Sequence, residues 1–205
     1  MNRLRVAISQ RHDPIARRDE NRDALDNRLG QLLWSLGFMP IPLVSGIDSP
    51  DAYLSDLKPD GFLLSGGNNL GEAPVRDALE EASLLYATEH HLPVLGICRG
   101  MQMINYFQGG QLSSVSEHTA VRHRVTGPLF ASPTGREVNS FHNFGITPSG
   151  LGRDLEALAW TQDGVMEALR HQQRPWLGIM WHPERDTPIS DDDQTMIKQH
   201  FQGSQ

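Results

Sequence analysis

The chain has 205 residues, 38% of them apolar and 21% charged, a composition that fits one folded domain over 1–205 and excludes disordered or collagen-like classes. Lys and Arg total 18 against 25 Asp and Glu, and the net charge of −7 argues against general attraction to nucleic acids or anionic membrane surfaces. The single cysteine excludes an internal disulfide and any multi-cysteine metal site within the chain, so Cys98 acts as a lone thiol.

Short apolar runs alternate with amphipathic stretches through the first half, the pattern of a parallel sheet wrapped by crossover helices. A strand is predicted over 4–8. A helix over 18–36 would bury Leu25, Leu29, Leu32, Leu33 and Leu36 on one face and end at Gly37. A strand over 39–43 carries Pro40 and Pro42, which place it at a sheet edge. The strand over 61–64 runs into the turn Ser65-Gly66-Gly67-Asn68-Asn69, rich in residues that tolerate positive φ. A helix over 75–90 is expected to turn Ala78, Leu79, Ala82, Leu85 and Tyr86 inward. The strand over 94–97 is apolar throughout, as strands buried on both faces are. Beyond Gln111 the pattern breaks into short pieces, with strands predicted over 137–139, 155–161 and 165–169 as hairpins added to the sheet edge. A last apolar strand over 176–181 leads to His182-Pro183-Glu184, and a helix follows over 191–201, with acidic residues in its first turn. No apolar run approaches the roughly 20 residues that span a bilayer, and the opening MNRLRVAISQR turns polar too early for a signal peptide, so a cytoplasmic location is expected.

The most informative segment is Gly96-Ile97-Cys98-Arg99-Gly100-Met101-Gln102. A strand delivers Cys98, Gly100 removes bulk where the backbone turns, and the residues from Met101 to Phe107 have the composition of a helix. The thiol therefore sits at a strand-to-helix junction, similar in logic to a nucleophile elbow, where a helix N-terminus favours the reactive thiolate. His182 leaves the last strand at the carboxyl edge of the sheet, the edge at which open α/β sheets bind ligands. There it can take the thiol proton while Glu184 orients the imidazole. Acyl transfer also needs donors for a developing oxyanion, and the backbone N–H of Arg99 and one in the Gly66-Gly67 turn are the candidates.

These segments, GICRGMQ, LLSGGNN and GIMWHPER, resemble in order the class I glutamine amidotransferase-like family over essentially the whole chain. The resemblance implies a mostly parallel sheet flanked by helices, in a flavodoxin-like α/β arrangement, and a Cys-His-Glu triad that works without cofactor or metal. It assigns a γ-glutamyl thioester to Cys98, acid and base roles to His182, orientation to Glu184 and oxyanion donation to Gly67 and Arg99. Gln102 would contact the glutamyl portion, and the Ser140-Phe141-His142 backbone would hold its α-amino and α-carboxylate groups. Arg99 after the nucleophile, AISQR, VNSFHNFGI and MWHPER resemble the branch that cleaves γ-glutamyl amides, in particular γ-glutamyl-CDP-amidate on the way to capsule phosphoramidate. The alternatives are γ-glutamyl-γ-aminobutyrate hydrolysis and a glutaminase subunit serving a synthetase partner. The substrate is then a small molecule, and a homodimer is left open.

A diphosphate leaving portion needs cationic or polar partners, for which Arg11, Asn68, His123 and Arg185 are the candidates, with Arg99, Arg122 and Arg124 also expected in loops or beside the triad motifs. His118 and His123, five apart and near Glu117, suggest a metal, but no third ligand accompanies them in the sequence, so no metal is expected.

Overall fold

The computed structural model describes residues 3–203. The run Val6-Ala7-Ile8 forms most of β1 (Arg5–Ile8), and a polar hairpin, β2 (Arg11–Ile15) and β3 (Glu20–Ala24), follows it before α1 (Asn27–Ser35) and β4 (Met39–Pro42). Then come α2 (Pro50–Leu57), β5 (Gly61–Leu64), α3 (Pro74–Glu89), β6 (Val94–Ile97) and α4 (Arg99–Phe107). The second half holds β7 (Ser113–Ser114), β8 (Thr119–Thr126), β9 (Arg136–Phe141), β10 (Phe144–Gly145), β11 (Leu155–Thr161), β12 (Met166–His171), β13 (Trp176–Ile179) and α5 (Asp191–Gln202).

Nine of the strands form one sheet in the order β4-β1-β5-β6-β13-β12-β11-β8-β9. The strands from β4 to β13 are parallel, and those from β13 onward are antiparallel. β1, β5, β6 and β13 read as apolar runs because helices or loops cover both faces, and every residue of β5, β6 and β13 is buried. β4 lies at the parallel edge, as its prolines require. The antiparallel strands extend the sheet as expected, and β8, which the sequence pattern does not reveal, joins them.

The helix expected over 18–36 is half as long. Asp26 caps α1 by accepting from the Arg28 N–H at 3.0 Å, and Leu29, Leu32 and Leu33 are buried. The residues before the cap, ARRDENRD, offer no apolar face and instead form a short turn and β3. The hairpin is held by polar contacts: Asp23 accepts from the Ser45 N–H and hydroxyl, both at 2.7 Å, and Asn68 bonds both backbone groups of His12. In α3 the buried face is also rotated from expectation. Leu85 and Ala78 are exposed, while Arg76 and Glu80 are fully buried beside Leu79, Leu84 and Ala87. A buried ionic network takes the place of the expected aliphatic stripe.

Registers fix where the site forms. Ile97 pairs with Ile179 across β6 and β13, so the two strands end level, and the Cys98 N–H donates to Ile179 O at 2.7 Å. Glycine is required where α4 returns over the sheet, because a Cβ at Gly100 would lie 2.0 Å from Leu64 O.

Candidate active site

Cys98 is the N-cap of α4, with φ 53° and ψ −105°, a strained conformation for a residue with a Cβ. The strain turns the chain sharply from β6 into α4, whose first hydrogen bond runs from the Gln102 N–H to Cys98 O at 3.1 Å. On the next strand His182 follows β13 at the start of a short turn over Pro183–Arg185, which folds Glu184 back against the ring. His182 Nδ1 and Glu184 Oε1 are 2.7 Å apart, and both side chains are almost fully buried. Burial works against a charged imidazole, but its hydrogen bonds to Cys98 and Glu184 and their charges outweigh it and raise His182 to about 9.

Asn139, in β9, clamps this histidine by its backbone. Its amide donates to His182 O at 2.8 Å, and its carbonyl accepts the His182 N–H at 2.9 Å. Phe141 meets the imidazole edge to face, with ring centroids 5.9 Å apart. On the other side Gly66 leaves no room: a Cβ there would lie 2.8 Å from His182 Cε1 and 3.7 Å from Cys98 Cβ. Gly66→Ala should therefore displace the imidazole from the thiol and lower kcat about 10²-fold while the thermal midpoint barely moves. Steady-state kinetics beside a melting curve checks this, and an unchanged kcat would show that the ring position does not limit the reaction.

Cys98 opens on a cleft of about 270 Å³, lined by Arg11, Gly67, Asn68, Asn69, Arg99, Gln102, Phe141, His142 and Phe144 among others. The structure thus brings Cys98, Gly67, Arg99, Gln102, Phe141, His142, Arg11 and Asn68 to one cleft. Arg11 lies across Gly67, within 3.1 Å of where a Cβ would be. Gln102 donates its amide to Phe144 O at 2.8 Å, which ties α4 to the opposite wall. A larger cleft of about 810 Å³ lies along α5 and includes none of these residues.

Several expectations are corrected. The Ser140 side chain is fully buried, its hydroxyl donates to His118 O at 2.6 Å, and it does not line the cleft as Phe141 and His142 do. The Arg99 guanidinium is buried against Asp77 and Glu80 and cannot reach a leaving group. Arg122 and Arg124 belong to β8, where Arg122 pairs with Asp186 at 2.8 Å and Arg124 donates to Thr134 O at 3.0 Å. His123 points at buried Glu167, 3.4 Å away, and does not line the cleft. Arg185 stacks its guanidinium 4.5 Å from the Phe141 ring centre and lines a second cleft of about 280 Å³ with Arg122, Asn139 and Asp186. Phe141 is shared by both clefts.

One functional element was not visible in the sequence. Arg76, fully buried in α3, donates to Ser65 O at 2.6 Å, Gly66 O at 3.1 Å and Gly67 O at 3.1 Å, so three successive carbonyls of that turn face α3. Its Nε bonds Glu80 at 2.9 Å, and Glu80 also pairs with Arg99, so one buried network underlies both candidate oxyanion donors. Burial alone would raise the Glu80 carboxyl, yet Arg76 and Arg99 hold it below its ordinary range. The only sequence signal is an Arg and a Glu four apart, which normally marks an exposed helix face.

A parallel sheet with a strained thiol at a strand-to-helix turn and an imidazole–carboxylate pair beyond the neighbouring strand is the arrangement of class I glutamine amidotransferase-like hydrolases. The chain belongs to the peptidase C26 family, which it matches over residues 9–184, and is a hydrolase of C–N amide bonds. It is 36% identical over 159 residues to a γ-glutamyl-CDP-amidate hydrolase of Campylobacter jejuni, covering 75% of this chain and 74% of that one. It is 40% identical over 103 residues to an aminodeoxychorismate synthase of Streptomyces griseus, a match that covers 48% of this chain and 14% of that longer one. Among solved structures, a Thermotoga maritima glutamine amidotransferase superposes with a TM-score of 0.66 at 14% identity, over 99% of this chain and 86% of that one. A Thermoplasma acidophilum protein described as one subunit of a GMP synthase gives 0.75 at 21%, over 100% and 94%. Both share the fold. Among the described residues no helix is long and apolar enough to cross a membrane.

Proposed function

We propose that the chain is a single-domain hydrolase that cleaves a γ-glutamyl amide through a thioester on Cys98, with γ-glutamyl-CDP-amidate as the substrate. The observation that carries this reading is the 2.7 Å contact of His182 with Glu184 behind a thiol that opens on the cleft. Cys98 Sγ attacks the γ-carbonyl carbon, and the resulting oxyanion is met by the Gly67 and Arg99 N–H groups. His182, carrying a proton to a pH of about 9 beside Cys98, gives it to the leaving nitrogen as the C–N bond breaks. Water then loses a proton to His182 and adds to the thioester, and glutamate departs with the thiolate restored. Gln102 and the 140–142 backbone hold the glutamyl portion, and glutamate is small enough for the cleft beside Cys98.

The leaving portion would extend past Phe141 into the second cleft, where Arg122 and Arg185 supply cationic partners for a diphosphate. The similarity to the Campylobacter jejuni enzyme supports this choice of substrate. The similarity to a synthase supports a second reading, glutamine hydrolysis for a synthetase partner. Glutamate release from γ-glutamyl-CDP-amidate, γ-glutamyl-γ-aminobutyrate and L-glutamine separates them. The first reading requires the nucleotide amide to have the highest kcat/KM. It fails if the aminobutyrate conjugate is preferred, or if only glutamine turns over and its turnover rises on adding a synthetase.

His182 also makes stability pH-dependent. Its folded pKa lies above the ordinary 6.5, so its contribution is fully present below pH about 6.5 and is lost as pH rises through about 9. Unfolding free energies should fall across that window by on the order of 3 kcal/mol, and Glu184→Gln should flatten the slope. A wild-type profile that is level from pH 6.5 to 9 would contradict the assignment.

A further inference from the structure

Behind the wall of the cleft, on the antiparallel half of the sheet, lies a second cluster of ionisable groups that the proposed hydrolysis does not use. His118 precedes β8, His123 lies within it, His142 follows β9, and Glu167 lies in β12. His118, His142 and Glu167 are buried with their potential ligand atoms all within 4.8 Å of one another. Glu167 Oε1 is 3.5 Å from His118 Nδ1 and 3.3 Å from His142 Nε2, and its Oε2 is 3.4 Å from His123 Nε2. His118 Nδ1, His123 Nε2 and Glu167 Oε2 have no hydrogen-bond partner despite being buried. Orphaned polar atoms shut away from water each cost roughly 1–3 kcal/mol, so three of them gathered around one carboxylate need an explanation.

We propose that this cluster is a binding site for a divalent transition metal, zinc in the first place, held by His118, His142 and Glu167, with His123 set against the second carboxylate oxygen of Glu167. Metal–nitrogen and metal–oxygen bonds of about 2.0–2.2 Å at tetrahedral angles set neighbouring donors about 3.3–3.6 Å apart. The separations of Glu167 Oε1 from His142 Nε2 and His118 Nδ1, 3.3 and 3.5 Å, match that edge and are long for charge-assisted hydrogen bonds, while His123 Nε2 faces the other carboxylate oxygen at 3.4 Å. Imidazole nitrogen with one carboxylate oxygen is a donor set that suits zinc. The outer shell is built as well. His118 Nε2 contacts Asp163 at 3.0 Å, and His142 Nδ1 lies 3.0 Å from Phe144 O, which fixes each ring with its other nitrogen turned toward Glu167. Glu117, the acidic neighbour in the sequence, is exposed, and its place is taken by Glu167 and His142 from distant strands. The metal would tie β8, the end of β9 and β12 together at His142, which also lines the cleft. Its part is to brace the wall that faces the substrate, and it takes no part in the bond-breaking step.

The test is zinc titration of chelator-dialysed wild-type protein, Cys98→Ala, Glu167→Gln and His118→Ala, with stoichiometry from a chromogenic competitor and melting curves on each. Zinc can also bind the active-site thiol, so Cys98→Ala separates the two sites. The expected result is one tightly held zinc per chain in wild type and in Cys98→Ala, with a higher thermal midpoint, and loss of that zinc in the other two variants. X-ray absorption of the wild-type zinc form, which needs no folded variant, should show a nitrogen and oxygen shell without sulfur. The proposal is overturned if wild type binds no zinc, if binding disappears with Cys98, if sulfur is in the shell, or if folded Glu167→Gln and His118→Ala bind as wild type does. In those cases Glu167 is balanced by protons on the surrounding histidines.

Discussion

Cys98→Ala folds as the wild type does and releases no measurable glutamate from any γ-glutamyl amide. Cys98 is nearly buried and the change removes one sulfur atom, so its stability cost stays within about 1 kcal/mol. The loss of rate is far larger. Removing the nucleophile of a comparable triad costs roughly 10⁶-fold in kcat, and what remains reflects oxyanion donors and binding alone. A drop of at least about 10⁴-fold with a nearly unchanged melting midpoint is the expected result. A mild drop would mean that water attacks the amide directly and that the thiol merely fills space. A mass increase of one glutamyl group on wild-type protein quenched during turnover, absent from the variant, reports the same intermediate directly.

Arg76→Met destabilises the fold and slows the reaction together. The side chain is completely buried and serves Ser65, Gly66, Gly67 and Glu80 at once. The change leaves Glu80 with Arg99 as its remaining cation and strips three buried carbonyls of their donor, and breaking a buried ionic network in this way costs roughly 3–5 kcal/mol. At about 2–4 °C per kcal/mol for a chain of this size, the midpoint should fall by roughly 6–20 °C. Below that midpoint kcat should still be reduced about 10-fold or more, because the turn that carries the Gly67 N–H has lost the clamp on its carbonyls. KM should change less than kcat. A fall in stability without a fall in kcat would make Arg76 a structural residue only.

The parts of the fold that could be read from the sequence are those set by apolar burial. β5, β6 and β13 are short apolar runs buried on both faces, and the GICRGMQ and WHPE segments at their ends placed Cys98, His182 and Glu184 at one edge. The polar hairpin of β2 and β3 could not be read this way, because His12, Asp23, Ser45 and Asn68 hold it through contacts between distant segments. β8 reads TAVRHRVT and buries only Val125, so its alternation has no apolar face to betray it. Arg76 and Glu80 carry no signal of burial in the sequence, since only the fold determines whether their helix face meets water or Arg99. The same holds for His118 and His123, whose partners His142 and Glu167 come from other strands. Asn139 stood inside a conspicuous motif, but its grip on the His182 backbone emerges only once β9 and the residues after β13 lie side by side.

The position of β13 has a consequence for how the protein is made. It is the last strand along the chain and lies in the interior of the sheet, between β6 and β12. Until it inserts, a nascent chain presents two unpaired strand edges, each a template for association with other chains. Closing such long-range pairings late is slow, because the loop-closure entropy is lost before the contacts form. The same insertion delivers His182 to Cys98. The thiol therefore emerges from the ribosome without its base, and the event that completes the sheet is also the one that arms the protein.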